Sequence, residues 1–169
     1  MLYGGAVVHP GERTADVLRF LPKLSPRVPD EVSLMAARRG PAGAAIPAAL
    51  HGRPVMVIGA CDHGGLIEGE QALRPVREFV PPAVDLLGPI PYVALQQMVD
   101  AFTPRGLHYY VKSEWLGGLP DGVVEALVEH HLSRTSPLHA SGTHQPSMTT
   151  ARSHPRTQQC ASNLKLFST

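Results

Sequence analysis

The chain has 169 residues, is 43% hydrophobic and 17% charged, and carries a formal net charge of +1. That length suits one domain with a real core, and the near-neutral balance gives no electrostatic reason to seek nucleic acid or an anionic membrane. Gly and Pro together make up about a fifth of the residues, which is high for a packed domain yet below the ~25–30% typical of low-complexity chains.

Residues 2–9 form an apolar run with Tyr3 and two valines, ended by Pro10-Gly11, and read as a strand and a turn. Thr14 is placed to cap a helix in which Ala15, Leu18 and Leu21 recur at helical spacing, until Pro22 and Pro26 break the pattern. A second strand is expected over 31–37, and a Gly-, Ala- and Pro-rich loop over 38–50. Residues 53–60 give the clearest strand, a nearly continuous apolar run that implies burial on both faces. After a turn at 62–65, a helix is expected over 68–79. Acidic residues stand at its start and Arg74 and Arg77 near its end, as the helix dipole favours, with Pro75 inside it as a kink or early stop. A short apolar segment follows at 83–87, then a helix over 92–101. A strand over 107–115 carries Tyr109, Tyr110 and Trp115. A last helix begins at Asp121, with Val123, Val124, Leu127, Val128 and Leu132 along one stripe.

From residue 135 the composition turns to Ser, Thr, His, Gln and Pro, without Asp or Glu and without a period. Such a stretch cannot bury enough apolar surface to offset its ordering entropy, so disorder is expected over 135–169. The remainder, 1–134, reads as α+β: a largely antiparallel sheet with helices mainly on one face.

The two cysteines, Cys61 and Cys160, are too few for a disulfide framework and too far apart for a zinc site. Read as free thiols, they favour a reducing compartment, and with no signal-like start the expected location is cytoplasmic. No run of ~18 apolar residues marks a membrane span. The immediate opening on a strand hints at an element upstream. There is no phosphate loop, no G-x-G-x-x-G and no G-x-S-x-G. Cys61 with His63, and Glu129-His130-His131, read better as a core thiol beside a turn and a solvated helix end than as a metal or catalytic set, so no metal is expected. Tyr92, Gln96, Tyr110 and Lys112 fall within a short span. Aromatics with a few fixed polar groups are what a ligand cleft requires, and these four are the candidate substrate-binding residues.

The same residues carry a resemblance. Tyr3-Gly4-Gly5 opening a Val strand, Pro29-Asp30-Glu31 entering the next, and His51-Gly52 before the strand at 54–59 are similar, in order, to the substrate-side domain of berberine bridge enzyme-like FAD-linked oxidases, which are vanillyl-alcohol oxidase-type flavoproteins. Gly64 with Glu68-Gly69-Glu70, then Leu73-Arg74-Pro75 and Pro82, continue the series. So do Pro91-Tyr92 with Gln96 and Asp100, and Gly106 with Tyr110-Val111-Lys112-Ser113, where Val111 stands in place of the family's Trp. The likeness covers about residues 3–134.

It implies a fragment of an FAD-dependent oxidoreductase that oxidises an alcohol or amine carbon by hydride transfer to flavin. The sheet would lie over the flavin ring, Gln96 would touch substrate or FAD, and FAD itself would be held by a domain outside this chain, leaving the fragment inactive alone. The implied partners are a small-molecule substrate and, through the bared sheet face, other copies of the chain. A rival reading is a stand-alone α+β binding or assembly module without catalysis. A third, remote one is a hydrolase using Cys61 and His63.

Overall fold

The computed structural model describes residues 1–39, 47–51, 53–98, 100, 106, 108, 110, 112–116, 120–132, 141–145 and 164–168. The chain is α+β, built on one antiparallel sheet in the order β4-β1-β3-β2-β7-β8-β6, with β5 also paired to β1. The strands are β1 (Leu2–Pro10), β2 (Val32–Arg39), β3 (Val55–Asp62), β4 (Val84–Asp85), β5 (Gly88–Ile90), β6 (Lys112–Leu116), β7 (Ser141–Gln145) and β8 (Leu164–Ser168). The helices are α1 (Thr14–Leu24), α2 (Leu66–Glu78), α3 (Tyr92–Gln97) and α4 (Asp121–Leu132). No described helix is long and apolar enough to cross a membrane.

The centre is β1-β3-β2. β3 pairs along its whole length with both neighbours, Val7 opposite Ile58 on one side and Ala36 opposite Ile58 on the other. Alternation then sorts the side chains. Tyr3 and Val7, Val32, Leu34 and Ala36, and Met56, Ile58 and Ala60 all bury toward the helices. There they meet Val17, Leu18, Leu21 and Leu24 of α1, Leu73 and Val76 of α2, and Val124 of α4. The spacing of the α1 residues supplies the apolar stripe that docks on a sheet. α2 approaches so closely that a Cβ on Gly69 would lie 2.7 Å from the Tyr3 Cβ and 3.0 Å from the Asp62 Cβ.

Several helix ends differ from expectation. α1 begins at Thr14, but its hydroxyl donates to the Gly11 carbonyl at 2.6 Å rather than accepting from the helix. Pro22 and Pro75 stand inside α1 and α2 without ending them, and the Phe79 N–H still reaches the Pro75 carbonyl at 3.1 Å. A proline removes one donor, and packing of the apolar stripe against the sheet holds the remaining turns. α3 covers only the first part of the expected helix, and β6 the last part of the expected strand, while 101, 107, 109 and 111 lie outside the described residues.

Within 135–169, two short segments add strands to the sheet. Ser141–Gln145 pairs with β2, and Leu164–Ser168 joins β7 to β6. Ladder pairing draws on backbone N–H and C=O groups, which need no apolar periodicity, and β2 would otherwise present an open edge. Thr143, opposite Ala36, is buried. The rest of that stretch lies outside the described residues.

At the other edge, β4 and β5 succeed each other beside β1 in one register, with Leu86-Leu87 joining them opposite Ala6 and Gly5. Gly5 has φ +140°, and a Cβ there would run into the Leu86 carbonyl oxygen. Arg77 of α2 fixes this link. Its guanidinium donates to Asp85 Oδ2 at 2.6 Å, to the Tyr3 hydroxyl at 2.8 Å and to the Leu87 carbonyl, and Asp85 Oδ1 accepts the Leu87 N–H at 2.9 Å. We expect Gly5→Ala to cost roughly 2–3 kcal/mol, from strained backbone plus the clash. A denaturant midpoint unchanged from the parent would show that the close approach of Leu86 does not depend on Gly5.

His9 is fully buried on the helix side of β1, edge-on to Phe79 with centroids 6.2 Å apart, and neither ring nitrogen has a partner. Burial lowers its pKa, and the nearby Arg13 charge adds to the effect. The folded state therefore holds His9 neutral while the unfolded chain binds a proton near pH ~6.5. This contribution to stability is complete above that pH and is lost as pH falls below it. His9→Leu should flatten that acid limb without loss at neutral pH, since no hydrogen bond is given up. Urea midpoints measured across pH test it; an unchanged acid limb would mean other groups set it.

Candidate functional site

With α1, α2 and α4 on one face of the sheet, the opposite face is left to side chains that alternate the other way. Along the three central strands these are mostly small: Ala6 on β1, Ser33 and Ala37 on β2, and Gly59 and Cys61 on β3, with Met35 and Val57 the larger exceptions. Toward the β4 edge this face closes into a second apolar cluster of Val8, Val55 and Val57. Over the other end lies α3, whose Leu95 and Gln96, with Met98 beyond, form a wall. The result is a cleft of about 270 Å³ with a flat, apolar floor. Its polar groups are few, namely the Ser33 hydroxyl, the Cys61 thiol and the Gln96 amide, and no charged residue lines it among the described residues. A charged ligand would lose hydration there without a counter-charge, so the cleft suits a neutral, flat molecule.

Two floor residues differ in character. Met35 stands opposite Gly59, and its Cε lies 3.2 Å from where a Gly59 Cβ would be. An unbranched thioether over a bare glycine is a movable cover. Cys61 is half-buried, and burial, then the Asp62 charge beside it, pushes the thiol pKa up. A protonated thiol is a poor nucleophile. His63 is exposed in the turn after β3, and among the described residues no hydrogen bond joins it to Cys61. Neither the state of the thiol nor its separation from His63 supports the hydrolase reading. Among the described residues no three His, Cys, Asp or Glu side chains gather to hold a metal ion.

The four residues expected to line a cleft are not brought together. Gln96 lines it. Tyr92 opens α3 on the outside, 62% exposed, and Tyr110 is 72% exposed. Lys112 begins β6, and between β3 and β6 lie β2, β7 and β8, about 19 Å at the usual strand spacing. Ala6, Ser33, Met35, Gly59 and Cys61 were not anticipated. The signal that could have found them is the period-2 run of small residues on the segments read as strands, which a count of apolar residues alone conceals.

No protein-family model matches the chain, and no curated protein matches it.

Proposed function

We propose that residues 1–134 are the substrate-side domain of an FAD-dependent oxidoreductase of the berberine bridge enzyme-like kind, and that the open sheet face covers one side of the flavin ring and the substrate carbon oxidised there. The observation that carries this reading is the position of Gln96: a single amide reaches over a flat, uncharged, small-residue floor. FAD supplies the hydride acceptor when bound. The chain's own part is to exclude water with Ala6, Ala37, Val57 and Met35, and to orient one polar group of substrate or ring through the Gln96 amide. The fit to FAD is partial. The floor would take one face of a ring, and among the described residues neither a glycine-rich loop nor a cation at the cleft answers a diphosphate. The phosphates would be held by another domain, and the fragment would be inactive alone. That α3 of the same chain walls the cleft favours a second reading, a stand-alone binding module for a flat neutral ligand.

Lumiflavin, the ring without phosphates, tests the assignment by its own fluorescence. It should bind weakly, FAD should bind no more tightly, and no stoichiometric yellow complex should survive desalting. FAD binding far above lumiflavin would reveal a phosphate site and overturn the fragment reading. No response to either, with a neutral aromatic alcohol binding instead, would favour the stand-alone module.

Gln96→Ala should weaken lumiflavin binding several-fold while changing stability by no more than about 0.5 kcal/mol, because the side chain is exposed. A large stability loss with binding intact would mark Gln96 as structural.

A further inference from the structure

The helix side of the molecule carries a second concavity, unrelated to the cleft. It is a groove of about 360 Å³ between α1 and α2. Phe20, Leu24 and Val28 form one wall, and Ala72 and Pro75 the other. Phe20 is held in place by stacking on Phe79, with centroids 4.0 Å apart and planes 14° from parallel. The groove is therefore apolar and braced. Lys23 and Arg27 also line it, and no carboxylate does.

The absence of a counter-charge sets this place apart from the rest of the described surface. Arg13 pairs with Asp16, Arg19 with Asp121, Arg53 with Glu12, Arg74 with Glu78, and Arg77 with Asp85. Lys23 and Arg27 have no carboxylate partner among the described residues. They stand four residues apart, from the last turn of α1 into the 3-10 turn Ser25–Arg27. Like charges at that spacing repel. The dipole of α1 tolerates cations at its end, but it does not account for two of them flanking an apolar groove. The opposite wall adds an acceptor. Pro75 has no N–H, so the carbonyl of Gln71, one turn earlier and also lining the groove, loses its helical donor.

We propose that this groove docks an acidic peptide segment of a partner protein, with one apolar side chain on the floor between Phe20 and Pro75. Its flanking carboxylates meet Lys23 and Arg27, and a backbone N–H of the segment donates to the Gln71 carbonyl. Each requirement matches one feature of the groove: the apolar floor, the two unopposed cations and the orphaned acceptor. The proposal goes beyond the cleft reading and does not depend on it.

The test uses the full chain and fluorescein-labelled, capped short peptides holding a single leucine flanked by glutamates, read by anisotropy. The glutamate peptide should bind, more weakly as salt rises, and its lysine counterpart should not. The double change Lys23→Glu and Arg27→Glu should lower affinity by roughly tenfold or more, and Arg53→Glu on another surface should leave it unchanged. Should the reversal disturb folding, the milder pair Lys23→Gln and Arg27→Gln, checked by its melting curve, should still lower affinity and flatten the salt dependence. Equal binding of the two peptides, or affinity indifferent to these changes, would overturn the proposal. So would self-association of the parent chain that the charge reversal abolishes, which would assign the groove to a second copy instead.

Discussion

Everything in this molecule follows from how β3 divides its side chains. A strand sends alternate residues to opposite faces, and β3 sends Met56, Ile58 and Ala60 to the helices and Val57, Gly59 and Cys61 to the other side. Because it pairs throughout with β1 and β2, the same division is imposed on them. A slip of one residue in either register would place small residues under α1 and α2 and large ones in the cleft. The core and the cleft are thus two consequences of one register.

The edge beside β1 shows how that register is held. β4 and β5 match β1 residue for residue on either side of Leu86-Leu87, so the ladder is interrupted there without a change of register. Gly5 makes room for the close approach of the Leu86 carbonyl. The half-buried Arg77–Asp85 pair, with the Tyr3 hydroxyl and the Leu87 carbonyl, ties this link to α2. Arg77 also lies 5.9 Å from the centre of the Tyr3 ring. This is a network with several partners about one guanidinium, unlike the exposed Arg74–Glu78 pair on the same helix, which solvent screens. It joins an element close in sequence to Arg77 with Tyr3, which lies far from it along the chain, and so fixes where β1 begins.

The order of elements up to α4 was legible in the sequence because strands and helices here differ in period and are separated by Gly and Pro. The apolar run at 53–60 announced a strand buried on both faces, and β3 is that strand. Helix interiors were less legible. Pro22 and Pro75 read as breaks, and only the docking of Leu18, Leu21, Leu73 and Val76 on the sheet reveals why the helices continue. β7 left no trace in composition, since a strand joined through its backbone to a waiting edge needs no pattern of its own, whereas β8 coincides with the one apolar cluster of the tail, Leu164, Leu166 and Phe167. Gln96 could be picked out as a polar residue on a short helix. The floor beneath it was missed, because Ala, Gly, Ser and Cys look like filler unless their alternation is followed along the strands. Nor could sequence distance show that β7 and β8 stand between Lys112 and the cleft.

The reactive-looking groups of the chain are quiet for one shared reason, which is burial. His9 is kept neutral inside the core, and the Cys61 thiol is kept protonated in the cleft wall. Neither is poised as a base or a nucleophile near neutral pH. The paired arginines lie elsewhere, and Lys23 and Arg27, without a carboxylate partner among the described residues, lie on the helix side. That separation leaves the described floor of the cleft uncharged, with the Gln96 amide as its most polar group. The two faces of one sheet therefore differ in kind: apolar and small on one side, apolar and cationic in the groove between the helices on the other.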